Sequence, residues 1–164
     1  YDIGHRKIAH VTGPEGNVLS STRKDAFVAE MAKLNLALKP EWIIAGDFSL
    51  AAGCLAAQAW IALDVRPTAV FCASDQLAMG FIAELSRHGI KVPDDVSVMG
   101  FDDIDFAEQF IPPLTTIRQD RRLIGETAAK MLLARIVHSN DANLEHAAVL
   151  PVSLVIREST ASPT

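Results

Sequence analysis

Short apolar runs alternate along this chain with longer stretches whose apolar residues recur every three or four positions. Residues 7–12 read as a strand that ends at Thr12, Gly13 and Pro14. The spacing of Phe27, Met31 and Leu34 predicts a helix over 23–36 with one face inward. A second strand over 42–45 closes at Gly46 and Asp47, and a helix over 50–63 follows with Ser49 as its N-cap. Residues 69–73 are wholly apolar, as in a strand buried on both faces. A third helix over 76–88 carries Leu77, Phe81, Ile82 and Leu85 on one side, with Asp75 to cap it and Gly89 to end it. Residues 96–101 form the fourth strand, entered through the turn Val92-Pro93-Asp94-Asp95.

After Pro112 and Pro113 comes an extended piece over 115–118, then a long helix over 121–137 capped by Asp120. That helix turns Ile124, Ala128, Met131, Leu132 and Ile136 to one face. A last strand spans 149–155, and 159–164 reads as a frayed tail. Residues 1–7 resemble the end of a helix, with Gly4 as terminator, so the chain is expected to be a piece of a longer protein. Four successive β-α units predict an α/β fold: a doubly wound parallel sheet with right-handed crossovers and helices on both faces.

Two features fit an interface or ordinary packing equally well. The helix over 50–63 has no charge before Asp64 and is apolar nearly all round, and Met79 lies off the main apolar stripe of its helix.

Composition narrows the function. The 164 residues are 49% hydrophobic and 21% charged, which suits one globular domain with a real core. The formal net charge of -5 lacks the cationic surplus that a phosphate-lined nucleic acid demands, so this chain is not expected to touch DNA itself. Cys54 and Cys72 fit no metal-site spacing and imply a reduced, cytoplasmic protein. No run is long and apolar enough to span a bilayer, so no membrane partner is expected.

In an open parallel sheet, ligands bind beyond the carboxyl ends of the strands. That rule selects Asn17, Ser20, Ser21 and Arg23 after the first strand, and Asp47 and Phe48 after the second. After the third and fourth it selects Ser74, Asp75, Gln76, Asp102 and Asp103. Hydroxyls, an amide, carboxylates, a guanidinium and an aromatic ring suit a polyol or a nucleobase. Each has a plainer role too: Asp75 as a helix cap, Asp47 as a turn former, Arg23 as a solvated helix charge. Asp102 is the hardest to dismiss, because a half-buried carboxylate after an apolar strand is costly without a partner.

No phosphate loop, dinucleotide fingerprint, zinc-protease helix or nucleophile elbow occurs. His5, His10, His88, His138 and His146 show no i, i+4 pairing with one another and read as surface or satisfied core residues. Asp102, Asp103 and Asp105 would suit a divalent cation in a phosphoryl-transfer enzyme, but no nucleophile accompanies them. No catalytic residue, metal or cofactor is expected.

Several segments resemble the LacI/GalR family of bacterial repressors. They are Gly4-His5-Arg6-Lys7-Ile8-Ala9-His10-Val11-Thr12-Gly13-Pro14, the helix start Arg23-Lys24-Asp25-Ala26-Phe27, and the turn Gly46-Asp47-Phe48-Ser49. Further along come Arg66-Pro67-Thr68-Ala69 running through Ser74-Asp75-Gln76-Leu77-Ala78-Met79-Gly80, and Val92-Pro93-Asp94-Asp95-Val96-Ser97-Val98-Met99-Gly100-Phe101-Asp102-Asp103. Pro112-Pro113-Leu114-Thr115-Thr116-Ile117-Arg118-Gln119 completes the series. The match runs in register over nearly the whole chain, with Ala26 in place of the usual Gly.

The resemblance implies a two-subdomain fold like that of periplasmic sugar-binding proteins, with a small-molecule effector in the cleft between subdomains. Residues 1–117 would form the C-terminal subdomain and 118–144 an excursion into an N-terminal subdomain. Residues 145–158 would be a return strand and 159–164 a tail. The helix over 121–137 would then expose an apolar stripe. By position, Arg23 would clamp effector hydroxyls or a carboxylate, Phe48 would stack, and Asp102 would take hydroxyls or a base nitrogen. Ser74, Asn17 and Gln119 would be further contacts, with Leu19 at a variable specificity position. The effector would be a sugar, a sugar derivative, a nucleoside or a purine. The chain would form a homodimer, with Leu77, Met79, Phe81, Phe106 and Phe110 as interface candidates, and would reach DNA only through a helix-turn-helix headpiece it lacks. The alternatives are a periplasmic sugar-binding protein of a transporter and a metal-dependent enzyme on the same sheet.

Overall fold

The computed structural model describes residues 1–137 and 147–163. His138, His146, the end of the 118–144 excursion and Thr164 of the tail lie outside the described residues. The elements follow in the order β1 (Ile8–Val11), α1 (Val18–Lys33), a 3-10 turn (Pro40–Trp42), β2 (Ile43–Ile44), α2 (Leu50–Ile61) and β3 (Ala69–Cys72). Then come α3 (Asp75–Arg87), β4 (Ser97–Asp102), β5 (Thr115–Gln119), α4 (Arg121–Val137) and β6 (Val152–Val155). The sheet order is β2-β1-β3-β4-β5-β6, parallel from β2 through β5, with β6 antiparallel at the edge.

Successive residues of a strand face opposite sides, and this sorts the helices. On one side His10 and Phe71, paired in register, meet Phe27 of α1, with ring centroids 5.1 Å and 4.9 Å from His10. On the other side lie Val70, Cys72, Val98 and Gly100; Asp75 of α3 reaches Gly100 there. The core is thickest on this α3 side, where Leu77, Phe81 and Leu85 are fully buried and Trp60 of α2 meets Phe81 edge-on. Glycines set the spacing of α2 and α3. A Cβ at Gly80 would come within 2.0 Å of the Leu50 carbonyl oxygen, and one at Gly53 within 2.3 Å of the Leu77 carbonyl oxygen.

Several sequence expectations need correction. Helix α1 begins at Val18, not at 23, because the Asn17 side chain accepts hydrogen bonds from Leu19 N and Ser20 N and so caps it. The cap of α3 is Ser74, whose hydroxyl accepts from Leu77 N, and Asp75 is the first helical residue. Strand β3 is not buried on both faces: Ala69 and Phe71 remain half-buried on the α1 side. The tail is docked, not frayed. Ser159 is fully buried; its hydroxyl donates to Val98 O and accepts from Thr115 N, while the Ala161 carbonyl accepts from His5.

Among the interface candidates, Leu77, Met79 and Phe81 are buried within the chain, since α3 is wedged between α2 and the sheet and turns these side chains inward. Phe110 packs against the same core, and Phe106 is 66% exposed. Helix α4 has no buried residue, and it leaves Ile124 at 41% and Leu132 at 60% exposed, as an unpartnered apolar stripe should be. No helix among the described residues is long and apolar enough to cross a membrane.

Candidate functional site

The carboxyl ends of β1, β3 and β4 meet the Phe48 loop around a cleft of about 420 Å³, lined by Leu19, Arg23, Phe48, Ser74, Gln76, Asp102, Ile104 and Gln119. Five of the six ligand-contact residues expected from sequence are therefore brought together. Asn17 is the exception: its carboxamide caps α1 and does not line the cleft.

Arg23 lies one and a half turns into α1, where the helix direction carries its side chain back over the ends of the strands. Its Nη1 donates to Ala73 O at 2.7 Å, Nη2 stands 3.7 Å from Asp102 Oδ1, and Cζ lies 3.9 Å from the Phe101 ring centroid and 5.7 Å from that of Phe48. Backbone anchor, carboxylate and ring face together fix the planar guanidinium. Burial holds the Arg23 pKa below its ordinary value, partly offset by Asp102. Burial pushes the Asp102 carboxyl up, against the opposing pull of Arg23 and of the hydrogen bond from Gln119. That bond runs from Gln119 Nε2 to Asp102 Oδ1 at 2.8 Å. Both interactions use Oδ1, and Oδ2 accepts no hydrogen bond from a described residue.

Among the described residues, three of the four non-glycine residues with positive φ stand at this rim: Phe48 at 72°, Asp102 at 116° and Asp103 at 53°. Crowding of Cβ disfavours that region, and such residues cluster where a site over-determines the backbone. Phe48 is held by its packing on Gly13, where a Cβ would approach its ring to 2.2 Å, and by Ser74 Oγ, which donates to Phe48 O. Because Ser74 also caps α3, its hydroxyl is engaged inside the protein on both counts. Asp47 accepts from Ser49 N and only shapes the turn, as its plainer reading has it.

The acidic cluster is not arranged as a cation site. Asp103 pairs with Arg118 and Arg157, and Asp105 with Arg121, while Asp102 faces the cleft. Although burial opposes ionisation of Asp103, the hydrogen bond from Arg118 and the ion pair with Arg157 hold its pKa below the ordinary value. No group of three potential metal-ligating side chains occurs among the described residues. A second cavity, of about 590 Å³, adjoins the cleft at Ile104 and Gln119, and its four arginines are matched by four acidic residues.

The three described histidines serve structure. His5 bonds Thr68, Ser97 and Ala161, and His10 is fully buried with Nδ1 on Phe71 O. Exposed His88 meets Glu84 on its own helix. Sequence reasoning missed Phe101 and Ile104. The period-2 pattern of β4 puts Phe101 on the α1 side, but nothing local says that Arg23 will cover it.

A family profile described as periplasmic binding protein-like domain matches residues 1–160. The HTH-type transcriptional repressor PurR of Vibrio campbellii is 43% identical over 135 residues, covering 82% of this chain and 40% of that protein. The ribose operon repressor of Haemophilus influenzae is 37% identical over 158 residues, covering 96% of this chain and 47% of that protein. The chain thus spans less than half the length of these two relatives. Among solved structures, a LacI-type transcriptional regulator of Bacillus cereus superposes with a TM-score of 0.94 at 26% identity, covering 99% of this chain and 57% of that one. The lac repressor dimer bound to operator and the anti-inducer ONPF superposes with a TM-score of 0.87 at 32% identity, covering 98% of this chain and 54% of that one.

Proposed function

This chain belongs to the periplasmic binding protein-like domain family, as an effector-binding domain of the LacI/GalR type, and from that premise we propose that it senses a small polar molecule for a cytoplasmic transcriptional repressor. The observation that carries this reading is the cleft in which Arg23, Phe48, Asp102 and Gln119 converge. A fixed guanidinium, a carboxylate with one uncommitted oxygen and a ring offer donor, acceptor and stacking surface to a sugar-like or nucleoside-like effector. Asn17 shapes this rim by capping α1, and Ser74 lines the cleft while it caps α3.

In the whole protein the ligand would bridge this subdomain, residues 1–117, and a second one reached by the excursion that begins at 118. The bare α4 stripe supports that division. The effector shifts the closure equilibrium by binding one arrangement better than the other. Closure then alters the spacing of paired DNA-binding headpieces in a homodimer. The protein would be a regulator and not an enzyme, in keeping with its repressor relatives.

A thermal-shift panel tests the reading, run on the full-length protein beside Asp102→Ala with pentoses, hexoses, sugar phosphates, sugar acids, purines and nucleosides. One compound class that raises the melting temperature of the wild type but not of the variant is the expected outcome. A full-length protein that still binds DNA and responds to no compound would remove the support for these site residues.

A further inference from the structure

The two strained aspartates at the end of β4 are each tied by their side chains, Asp102 to Gln119 and Asp103 to Arg118 and Arg157. The backbone on either side of them is held by a group outside the cleft. Asp75, fully buried at the start of α3, accepts the Ile104 N–H on Oδ2 at 2.8 Å. Its Oδ1 accepts from the Thr116 hydroxyl of β5 and fills the space over Gly100, where a Cβ would come within 2.2 Å. One carboxylate therefore packs against β4 two residues before Asp102 and hydrogen-bonds the chain two residues after it.

We propose that Asp75 is a positioning residue of the effector cleft: it clamps the Gly100–Ile104 segment and so sets where the Asp102 carboxylate stands. The cleft's role as a ligand site rests on the function proposed above, but the clamp itself does not. Capping does not account for Asp75, because Ser74 caps α3. Burial pushes the Asp75 carboxyl up, against the hydrogen bonds from Thr116 and Ile104, and removing this acceptor leaves a buried N–H and O–H without partners. Residues in disfavoured backbone regions persist only when their surroundings impose them, and Asp75 touches both flanks of this pair, by packing at Gly100 and by a hydrogen bond at Ile104.

The test needs no ligand, so it stands or falls separately from the thermal-shift panel. Full-length protein labelled with ¹⁵N-isoleucine and carboxyl-¹³C aspartate is compared as wild type, Asp75→Ala, Asp75→Asn and the core control Leu85→Ala. Asp75→Ala is expected to speed hydrogen exchange at Ile104 by about a hundredfold beyond any change at Ile44, and to move the Asp102 carboxyl resonance. Asp75→Asn removes any charge the carboxyl carries, but its carbonyl can still accept from Ile104 while Thr116 turns to accept from the amide. It should bring Ile104 exchange back to within about tenfold of wild type and restore most of the Asp102 signal. Leu85→Ala should affect neither site selectively.

If both Asp75 variants move the Asp102 resonance alike, charge and not clamping is responsible, and the proposal is overturned. An equal selective loss at Ile104 in Leu85→Ala overturns it too. Should Asp75→Ala not fold, Thr116→Val keeps the volume and removes one tether. About a tenfold selective rise in Ile104 exchange then supports the clamp, and no rise refutes it.

Discussion

Arg23 lies over Phe101, its Cζ 3.9 Å from the ring centroid, while its Nη1 donates to the Ala73 carbonyl at 2.7 Å. The guanidinium is thus fixed before any ligand arrives, with one edge toward Asp102. A fixed donor costs a ligand little ordering entropy, which is the physical case for affinity from preorganisation.

Arg23→Lys keeps the charge but cannot stack as a plane or donate as a fork. Affinity for whichever compound the panel identifies is expected to fall at least about tenfold, or about 1.4 kcal/mol. Isothermal titration of both proteins measures it. Equal affinities would reduce Arg23 to a point charge.

Acid stability reports on His10. Burial, its largest influence, holds the ring down to about 4 from its ordinary 6.5, only partly offset by the hydrogen bond to Phe71 O. The unfolded chain therefore takes up a proton between pH 6.5 and 4 that the folded chain refuses, so stability falls as pH falls through that window. His10→Phe removes the linkage. Relative to this variant, the wild type should lose about 3 kcal/mol between pH 7 and 4. Urea unfolding at several pH values gives the difference, and parallel pH profiles would place the acid sensitivity elsewhere.

Two glycines on helices should respond oppositely to alanine. At Gly80 a Cβ would collide with the Leu50 carbonyl, so α2 and α3 must separate, at a cost of about 1–3 kcal/mol. At Gly125 on α4 nothing lies within 4 Å, so Gly125→Ala should gain up to about 1 kcal/mol from helix propensity. Denaturant midpoints of the two variants decide it.

The docked tail makes its own prediction. Ser159→Ala would strip partners from the buried Val98 carbonyl and Thr115 N–H. A loss of about 1–3 kcal/mol is expected, and a truly frayed tail would show none. Thermal unfolding measures it directly.

The alternation of apolar runs with helical periods was enough to read the order of strands and helices, because burial against a sheet imposes a period of two and burial of a helix face one near 3.6. The rule that ligands bind past strand ends picked out Arg23, Phe48, Ser74 and Asp102 without coordinates, since a parallel sheet must bring those loops to one rim. The motif series, read as a whole, pointed to the family. Local signals failed where one residue type serves two roles. Asn17 and Ser74 read as contacts and Asp75 as a cap, whereas side-chain hydrogen bonds to the first backbone N–H groups give the caps to Asn17 and Ser74.

Tertiary structure alone decided the rest. That Leu77, Met79 and Phe81 face inward follows from α3 being enclosed by α2 and the sheet, which no helical period can specify. Ser159 is buried because β4 and β5 have polar partners to offer it more than sixty and forty residues away in sequence. The clamp at Asp75 joins α3, β4 and β5 through one carboxylate. The sequence determined the periodic elements and the loops that meet at the rim, for those follow from local pattern and sheet topology. Partners for each buried polar group were settled only by packing, because desolvation makes every such group bond to whatever the fold brings within reach.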